Sequence, residues 1–386
     1  MTIPYGRQEI SAADIDAVVA VLRSDFLTQG PAVPAFEQAV AARVGATHAV
    51  AVNSATSALH VACLALGLGE GDLLWTVPNT FVASANCGRY CAADVDFVDI
   101  DPDTWNISIP ALQRKLQQAE AQRRLPKIVV PVHFAGQPTD QEAIWELAQQ
   151  YGFRVLEDAS HAIGAGRDGE PVGSCRWSDV TVFSFHPVKI ITTGEGGMAL
   201  TNDRRLADAM AMLRSHGITR DADMMTEKNP GPWYYEQLEL GYNYRMTDIQ
   251  AALGASQLAR LEAFVARRRE LAARYDTLLA GLPLQLPVQD ARAQSSWHLY
   301  VVRLRLDRIG RSHRQVFEAL RAAGISVNLH YIPVHLQPYY RALGFAAGHC
   351  PEAERYCGEA ISLPLYPALS EANQDYIANT LSELLK

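Results

Sequence analysis

Between residues 46 and 202, short apolar runs alternate with longer stretches whose apolar positions recur at helical spacing. The runs are His48–Val52, Leu73–Val77, Asp96–Asp99, Ile128–His133, Arg154–Leu156, Val180–Phe185 and Met198–Leu200. Ile109–Gln122 and Asp140–Tyr151, which lie between them, read as amphipathic helices. Such strand–helix alternation predicts an α/β fold with a mostly parallel sheet covered by helices on both faces. Ligands of sheets of this kind gather in the crevice at the carboxyl ends of the strands. A further helix, Asp14–Arg23, is expected ahead of the sheet.

From Met246 to Leu279 the pattern is one long helical region, with a break expected near Gly254. Past Pro283 and Pro287 it changes to a smaller α/β module. That module reads as a strand at His298–Leu304, a helix at Arg314–Ala323, a strand at Ser326–His330 and a final helix at Glu371–Leu385. The boundary is placed within the long helical region, giving a large domain over residues 1–255 and a small C-terminal domain over 256–386.

Composition narrows the function. A chain of 386 residues has room for two or three domains. With 48% hydrophobic and 20% charged residues it is too apolar for disorder. A formal net charge of −8 argues against nucleic acid or an anionic membrane as partner, since either needs a basic field. The longest mainly apolar stretch, Ala58–Gly67, is far short of the roughly 20 residues of a membrane helix. The N-terminus lacks the basic and apolar segments of a signal peptide. The six cysteines form no Cys-x-x-Cys pair and suit a reducing compartment, so a cytoplasmic protein is expected. No metal site is expected, because His330 and His335 are separated by Pro333 and cannot share a helical face. Gly164-Ala-Gly-Arg-Asp-Gly169 matches a dinucleotide-binding pattern, but it neither leaves a strand directly nor opens a helix, so it is set aside.

Three strand ends carry unusual residues. Asn53-Ser-Ala-Thr-Ser-Ala-Leu59 runs from a strand into a helix start, where free N–H groups and the helix dipole favour a phosphate, or where a hydroxyl simply caps the helix. Glu157-Asp158 ends an apolar strand, and acids there must be paired or functional. Asp158 is placed to hold a protonated ring nitrogen, or to form a salt bridge. Lys189 sits in a loop beside Ile190 and Ile191, and desolvation there lowers the pKa of an amine and makes it a nucleophile toward an aldehyde. A phosphate cradle, a carboxylate and a Schiff-base lysine together are the parts that hold pyridoxal 5′-phosphate.

On these residues the chain resembles the DegT/StrS-type sugar aminotransferases over nearly its whole length. The matching segments are Phe26-Leu-Thr-Gln-Gly-Pro31, Asn53–Leu59, Glu157-Asp-Ala-Ser-His161, Ser184-Phe-His186 with Lys189, Gly194-Glu-Gly-Gly197 and Gly241–Asp248. Leu329-His-Tyr-Ile-Pro-Val-His335 is similar to one subgroup, which forms UDP-4-amino-4,6-dideoxy-N-acetyl-β-L-altrosamine for pseudaminic acid. The resemblance implies a fold-type I pyridoxal-phosphate transferase with a seven-stranded sheet in its large, cofactor-binding domain. It implies that Lys189 carries the cofactor and shuttles the proton, and that Asp158 pairs with the ring nitrogen. By the same likeness Ala55, Thr56 and Ser184 hold the phosphate with Asn243 of a second subunit, Phe81 stacks on the ring, and His161 lies near the ring hydroxyl. Tyr5, Phe26, Leu27, Thr28, Gln29, His330, Tyr331, Ile332 and Pro333 are the implied sugar-nucleotide contacts, with His133 and Arg245 as further polar candidates. A homodimer with shared sites, L-glutamate as donor and a UDP-linked keto sugar as acceptor follow from the same likeness. Two alternatives are another nucleotide-sugar aminotransferase, acting on a UDP-4-keto-pentose or a dTDP-keto-hexose, and a non-catalytic relative that would have lost Lys189 or Asp158.

Overall fold

The computed structural model describes residues 2–227 and 231–386. Its main sheet has seven strands: β1 (His48–Val52), β2 (Leu73–Thr76), β3 (Asp94–Phe97), β4 (Ile128–Val130), β5 (Arg154–Asp158), β6 (Val180–Ser184) and β7 (Gly197–Thr201). They lie in the order β1-β7-β6-β5-β4-β2-β3. Neighbours from β6 through β3 are parallel, while β7 runs antiparallel to both β6 and β1. Every residue of β2, β4, β6 and β7 is buried, which is why these strands read as unbroken apolar runs rather than alternating ones. At the sheet's edge β3 carries Asp94 and Asp96, charges that discourage pairing with another chain. It begins two residues before the expected Asp96.

Gly197 shows how tightly the sheet meets the helix that follows β1. A Cβ there would lie 2.4 Å from the Ala55 nitrogen. Only a glycine lets β7 pass under the start of helix Ala55–Ala65.

The long helical region is two helices, Asp248–Leu258 and Leu261–Leu278, broken at Ala259-Arg260 rather than near Gly254. Gly254 instead continues the first helix. Its place is set by packing, since a Cβ would lie 2.6 Å from both Phe36 and Thr193.

A second, antiparallel sheet follows, of β8 (Leu284–Gln285), β9 (Tyr300–Leu304) and β10 (Ala360–Leu363) in that order. The expected strand Ser326–His330 is not one: it has a single bridge, Asn328 to Ser362. The Asn328 side chain takes the Leu329 N–H at 2.9 Å, drawing the backbone out of a ladder. The N-terminal segment also reaches this module, where Ile3 joins its apolar core and donates to the Gly324 carbonyl at 2.8 Å. The glycine-rich decoy forms a two-residue hairpin, Gly166–Arg167 against Glu170–Pro171. Among the described residues no helix is long and apolar enough to cross a membrane.

Candidate active site

A cavity of about 780 Å³ opens at the carboxyl ends of the parallel strands. Asn53 to Ser57 enter it after β1, Thr80 and Phe81 after β2, Asp158 at the end of β5 and Ser184 at the end of β6. Lys189, His161, His298, His330, Tyr331 and Tyr5 close the remaining walls. A second hollow of about 730 Å³ lies over β3, but its Lys115 and His349 are both already paired with Asp96.

At one end of the cavity the helix Ala55–Ala65 begins. Ser54 caps it, its hydroxyl accepting the Ser57 N–H at 3.1 Å, and its carbonyl accepts the Ala58 N–H at 3.0 Å. The Ser57 hydroxyl donates to Asn53 Oδ1 at 2.7 Å. The hydroxyls of Ser54 and Ser57 are therefore spent on the turn itself. Among the described residues the amides of Ala55 and Thr56 are left without a protein acceptor, at the positive end of the helix.

Deeper in lies Asp158. Its carboxylate accepts the Ser84 hydroxyl at 2.6 Å and the Ser160 N–H at 3.1 Å, and Ser84 in turn pairs with Thr80 at 2.7 Å. Its neighbour Glu157 points to the other face of the strand, as successive strand residues do. There it accepts from Thr181 at 2.6 Å and Gln141 at 2.5 Å and faces His133 at 3.5 Å. Burial pushes the Glu157 carboxyl up, but His133 and these donors outweigh it and hold the group below its ordinary value. Of the two adjacent acids, Glu157 is the structural one and Asp158 the one presented to the cavity.

Lys189 stands between these two ends. Burial lowers its amine from the ordinary 10.5 to about 8, and the charge of Asp158 works against that fall. Three imidazoles surround it, and none is protonated near neutral pH. Burial, then the lysine charge, holds His330 at about 3. The same two causes, with His330 added, keep His161 well below its ordinary value, and His298 is also held there by burial first. His161 Nδ1 accepts the Ala135 N–H at 3.3 Å, which fixes the proton on Nε2, 3.2 Å from the Tyr331 hydroxyl. Burial first, then the charges of Asp158 and Tyr5, keeps the Tyr331 phenol protonated, so it retains a proton to give.

The structure thus brings Lys189, Asp158, Ala55, Thr56, Phe81, His161, Ser184, Tyr5, His330 and Tyr331 to one cavity. Phe81 is no core residue: it is 59% exposed and its ring stands 6.4 Å from that of Tyr331. Within a single chain Phe26, Leu27, Thr28, Gln29, Asn243, Ile332 and Pro333 do not line it. Phe26, Leu27, Ile332 and Asn243 are exposed, while Thr28 pairs with Thr247. The turn that carries Phe26 to Gln29 is pinned by Asp248, whose carboxylate accepts the amides of Gly30 and Ala32 at 2.7 and 2.8 Å. His133 is wholly buried behind the sheet and Arg245 bridges to Val52; neither lines the cavity. Sequence reasoning missed Ser84 and His298. A strand-flanking His in Ser295-Ser-Trp-His298 was the one signal for the latter, and a lone histidine is weak.

A lysine of lowered pKa facing a fixed carboxylate, with unclaimed helix-start amides beyond, at the carboxyl edge of this sheet, defines the class: a fold-type I pyridoxal-phosphate enzyme. The chain belongs to the DegT/DnrJ/EryC1/StrS aminotransferase family, whose model matches residues 8–382. It is 41% identical to the spore coat polysaccharide biosynthesis protein SpsC of Bacillus subtilis, over 100% of this chain and 97% of that one. Among solved structures it is similar to Helicobacter pylori PseC, an aminotransferase involved in the biosynthesis of pseudoaminic acid (TM-score 0.91, 30% identity, 100% and 99% of the two chains). It is also similar to the PLP form of the sugar aminotransferase Spr1654 of Streptococcus pneumoniae (TM-score 0.88, 29% identity, 100% and 98%).

Proposed function

We propose that this aminotransferase moves the amino group of L-glutamate to the C4 carbonyl of a UDP-linked, N-acetylated 4-keto-6-deoxy sugar. The product is then UDP-4-amino-4,6-dideoxy-N-acetyl-β-L-altrosamine, on the way to pseudaminic acid. The enzyme works in the cytoplasm as a homodimer with shared sites. The observation that carries the reading is the single cavity in which Lys189, Asp158 and the Ala55–Thr56 amides meet a wall of His330 and Tyr331. The likeness to PseC supports the choice of sugar.

The residues present fit pyridoxal phosphate. Bound there, the cofactor supplies an aldehyde that captures amines and a ring that accepts the electrons left when a proton is removed. The Ala55 and Thr56 amides and the Ser184 hydroxyl bind its phosphate, joined by Asn243 from a second subunit. Asp158, held by Ser84 and Ser160, keeps the ring nitrogen protonated. Phe81 covers one ring face. The Lys189 amine takes the proton from the α carbon of glutamate and, in the second half of the reaction, returns a proton at C4 of the sugar. An amine lowered to about 8 is ready for both tasks near neutral pH. His161 and Tyr331 form a fixed donor pair beside the ring, and Tyr5 and His330 face the sugar.

Incubating the enzyme with glutamate carrying heavy nitrogen and the UDP-linked 4-keto-6-deoxy sugar tests this. The heavy atom should appear on the sugar. Labelled product formed only from a dTDP-hexose or a UDP-pentose would favour the alternative reading, a different nucleotide-sugar aminotransferase.

A further inference from the structure

His298 is buried in the cavity wall, 4% exposed, with its ring centroid 4.4 Å from that of His161. Among the described residues neither of its nitrogens has a protein partner. Nδ1 is enclosed and unpaired, which leaves Nε2 as the atom that can meet a ligand. The backbone is shaped to put the ring there. Trp297, just before it, holds a left-handed φ of 51°, rare for so bulky a residue. The Ser295 hydroxyl accepts the Trp297 N–H at 3.0 Å. The buried Arg268 guanidinium donates to the carbonyls of Trp297 and His298, both at 3.2 Å, and to that of Leu365 at 3.0 Å. From the other side, the Ser296 hydroxyl donates to the His161 carbonyl at 2.9 Å. A strained turn anchored this firmly, presenting a side chain with no protein partner, is how a ligand contact is built.

The cavity receives two unlike substrates in turn. Glutamate brings two carboxylates, whereas the keto sugar brings hydroxyls and no carboxylate. Among the described lining residues of one chain, Lys189 is the only lysine or arginine, and its amine is occupied with the reaction. The acids of the lining, Asp158 and Glu195, repel a carboxylate. A guanidinium would suit glutamate but be left as an unpaired buried charge once the sugar took its place. A neutral imidazole donates a hydrogen bond to either substrate. Burial first, then His161 and Lys189, holds His298 well below its ordinary value, so its ring is uncharged in the empty site. The Lys189 amine works on the α carbon of glutamate, and the carboxylate on that carbon lies one bond away. We propose that His298 is the carboxylate contact for the amino donor, its Nε2 donating to the α-carboxylate of glutamate and later to a hydroxyl of the sugar. The inference rests on glutamate as the donor, and not on which sugar accepts.

The test measures, by isothermal titration calorimetry on the cofactor-loaded enzyme, the binding of 2-oxoglutarate, which has both carboxylates but no amino group to give. His298→Phe should weaken it roughly ten- to a hundredfold, as expected for losing a hydrogen bond to a charged group. His298→Gln, which keeps a neutral donor, should recover part of the affinity, and the visible cofactor band should be unchanged in both variants. Equal affinity in wild type and His298→Phe would overturn the inference while leaving glutamate as the donor. Loss of the cofactor band together with 2-oxoglutarate binding would show damage to the whole site and overturn it too. A crystal structure of the wild-type enzyme with 2-oxoglutarate gives a reading that depends on neither variant folding. A carboxylate oxygen should lie about 2.7–3.2 Å from His298 Nε2; carboxylates held only by an arginine of a second subunit would overturn the inference. Wild-type enzyme that fails to bind 2-oxoglutarate would remove glutamate as the donor, and this inference with it.

Discussion

At the scale of single residues, the chemistry turns on an amine that burial weakens and a carboxylate that two donors fix. The pH behaviour follows with a definite sign. Lys189 is lowered from 10.5 to about 8, so between those values the unfolded chain binds more protons than the folded one. Cofactor-free protein should therefore gain stability as pH rises through that window, and its capture of pyridoxal phosphate should have its midpoint near pH 8. In Asp158→Asn the charge that supports the protonated amine is gone, and stopped-flow absorbance should place the midpoint lower still. A midpoint near 10.5 would show a solvated lysine. Ser84→Ala removes a hydroxyl donated to a carboxylate; such bonds contribute about 1.5–3 kcal/mol, so cofactor affinity should fall roughly ten- to a hundredfold in equilibrium dialysis. Lys189 and Asp158 were legible in the sequence because each lies within a recognisable segment, Asp158 at a strand end and Lys189 in the loop that follows one. Ser84 was not, because it meets Asp158 from 74 residues away and nothing local marks it.

At the scale of elements, the site depends on how closely β7 passes under the helix that offers the two amides. Gly197→Ala would force a Cβ to within 2.4 Å of the Ala55 nitrogen. Overpacking of this kind costs about 1–3 kcal/mol, and here the atom displaced is one of the two amides proposed to hold the phosphate. The variant should show both a lowered melting temperature and weakened cofactor binding. A loss of stability with unchanged binding would mean the helix start adjusts without moving its amides. The strands of the main sheet were legible because burial on both faces leaves short apolar runs. Ser326–His330 misled for a related reason: its residues suit a strand, yet Asn328 diverts the backbone and the segment supplies cavity wall instead. The helix break was misplaced because Gly254 answers to Phe36 and Thr193, a contact between elements far apart in sequence.

At the scale of the molecule, one chain completes the lysine, carboxylate and amide parts of the cavity but leaves Phe26, Leu27 and Asn243 exposed and outside it. The proposed dimer gives those residues a use. Lys189→Ala and Asn243→Ala should each be impaired alone, Lys189→Ala completely, yet both should remain dimeric by light scattering. If sites are shared, a mixed dimer holds one site with both defects and one with neither. Unfolding and refolding the two together should then restore roughly a quarter of wild-type activity, as random pairing of subunits dictates. No recovery would mean that Asn243 serves its own chain's site.

The central claim, that this cavity carries an amino group from glutamate to a nucleotide-linked keto sugar, is tested most directly by the visible spectrum of the cofactor-loaded enzyme under stepwise addition. Glutamate should bleach the cofactor band, and the UDP-linked 4-keto-6-deoxy sugar, added after glutamate is removed, should restore it. A band that glutamate leaves unchanged, or no band at all with pyridoxal phosphate present, would contradict the account.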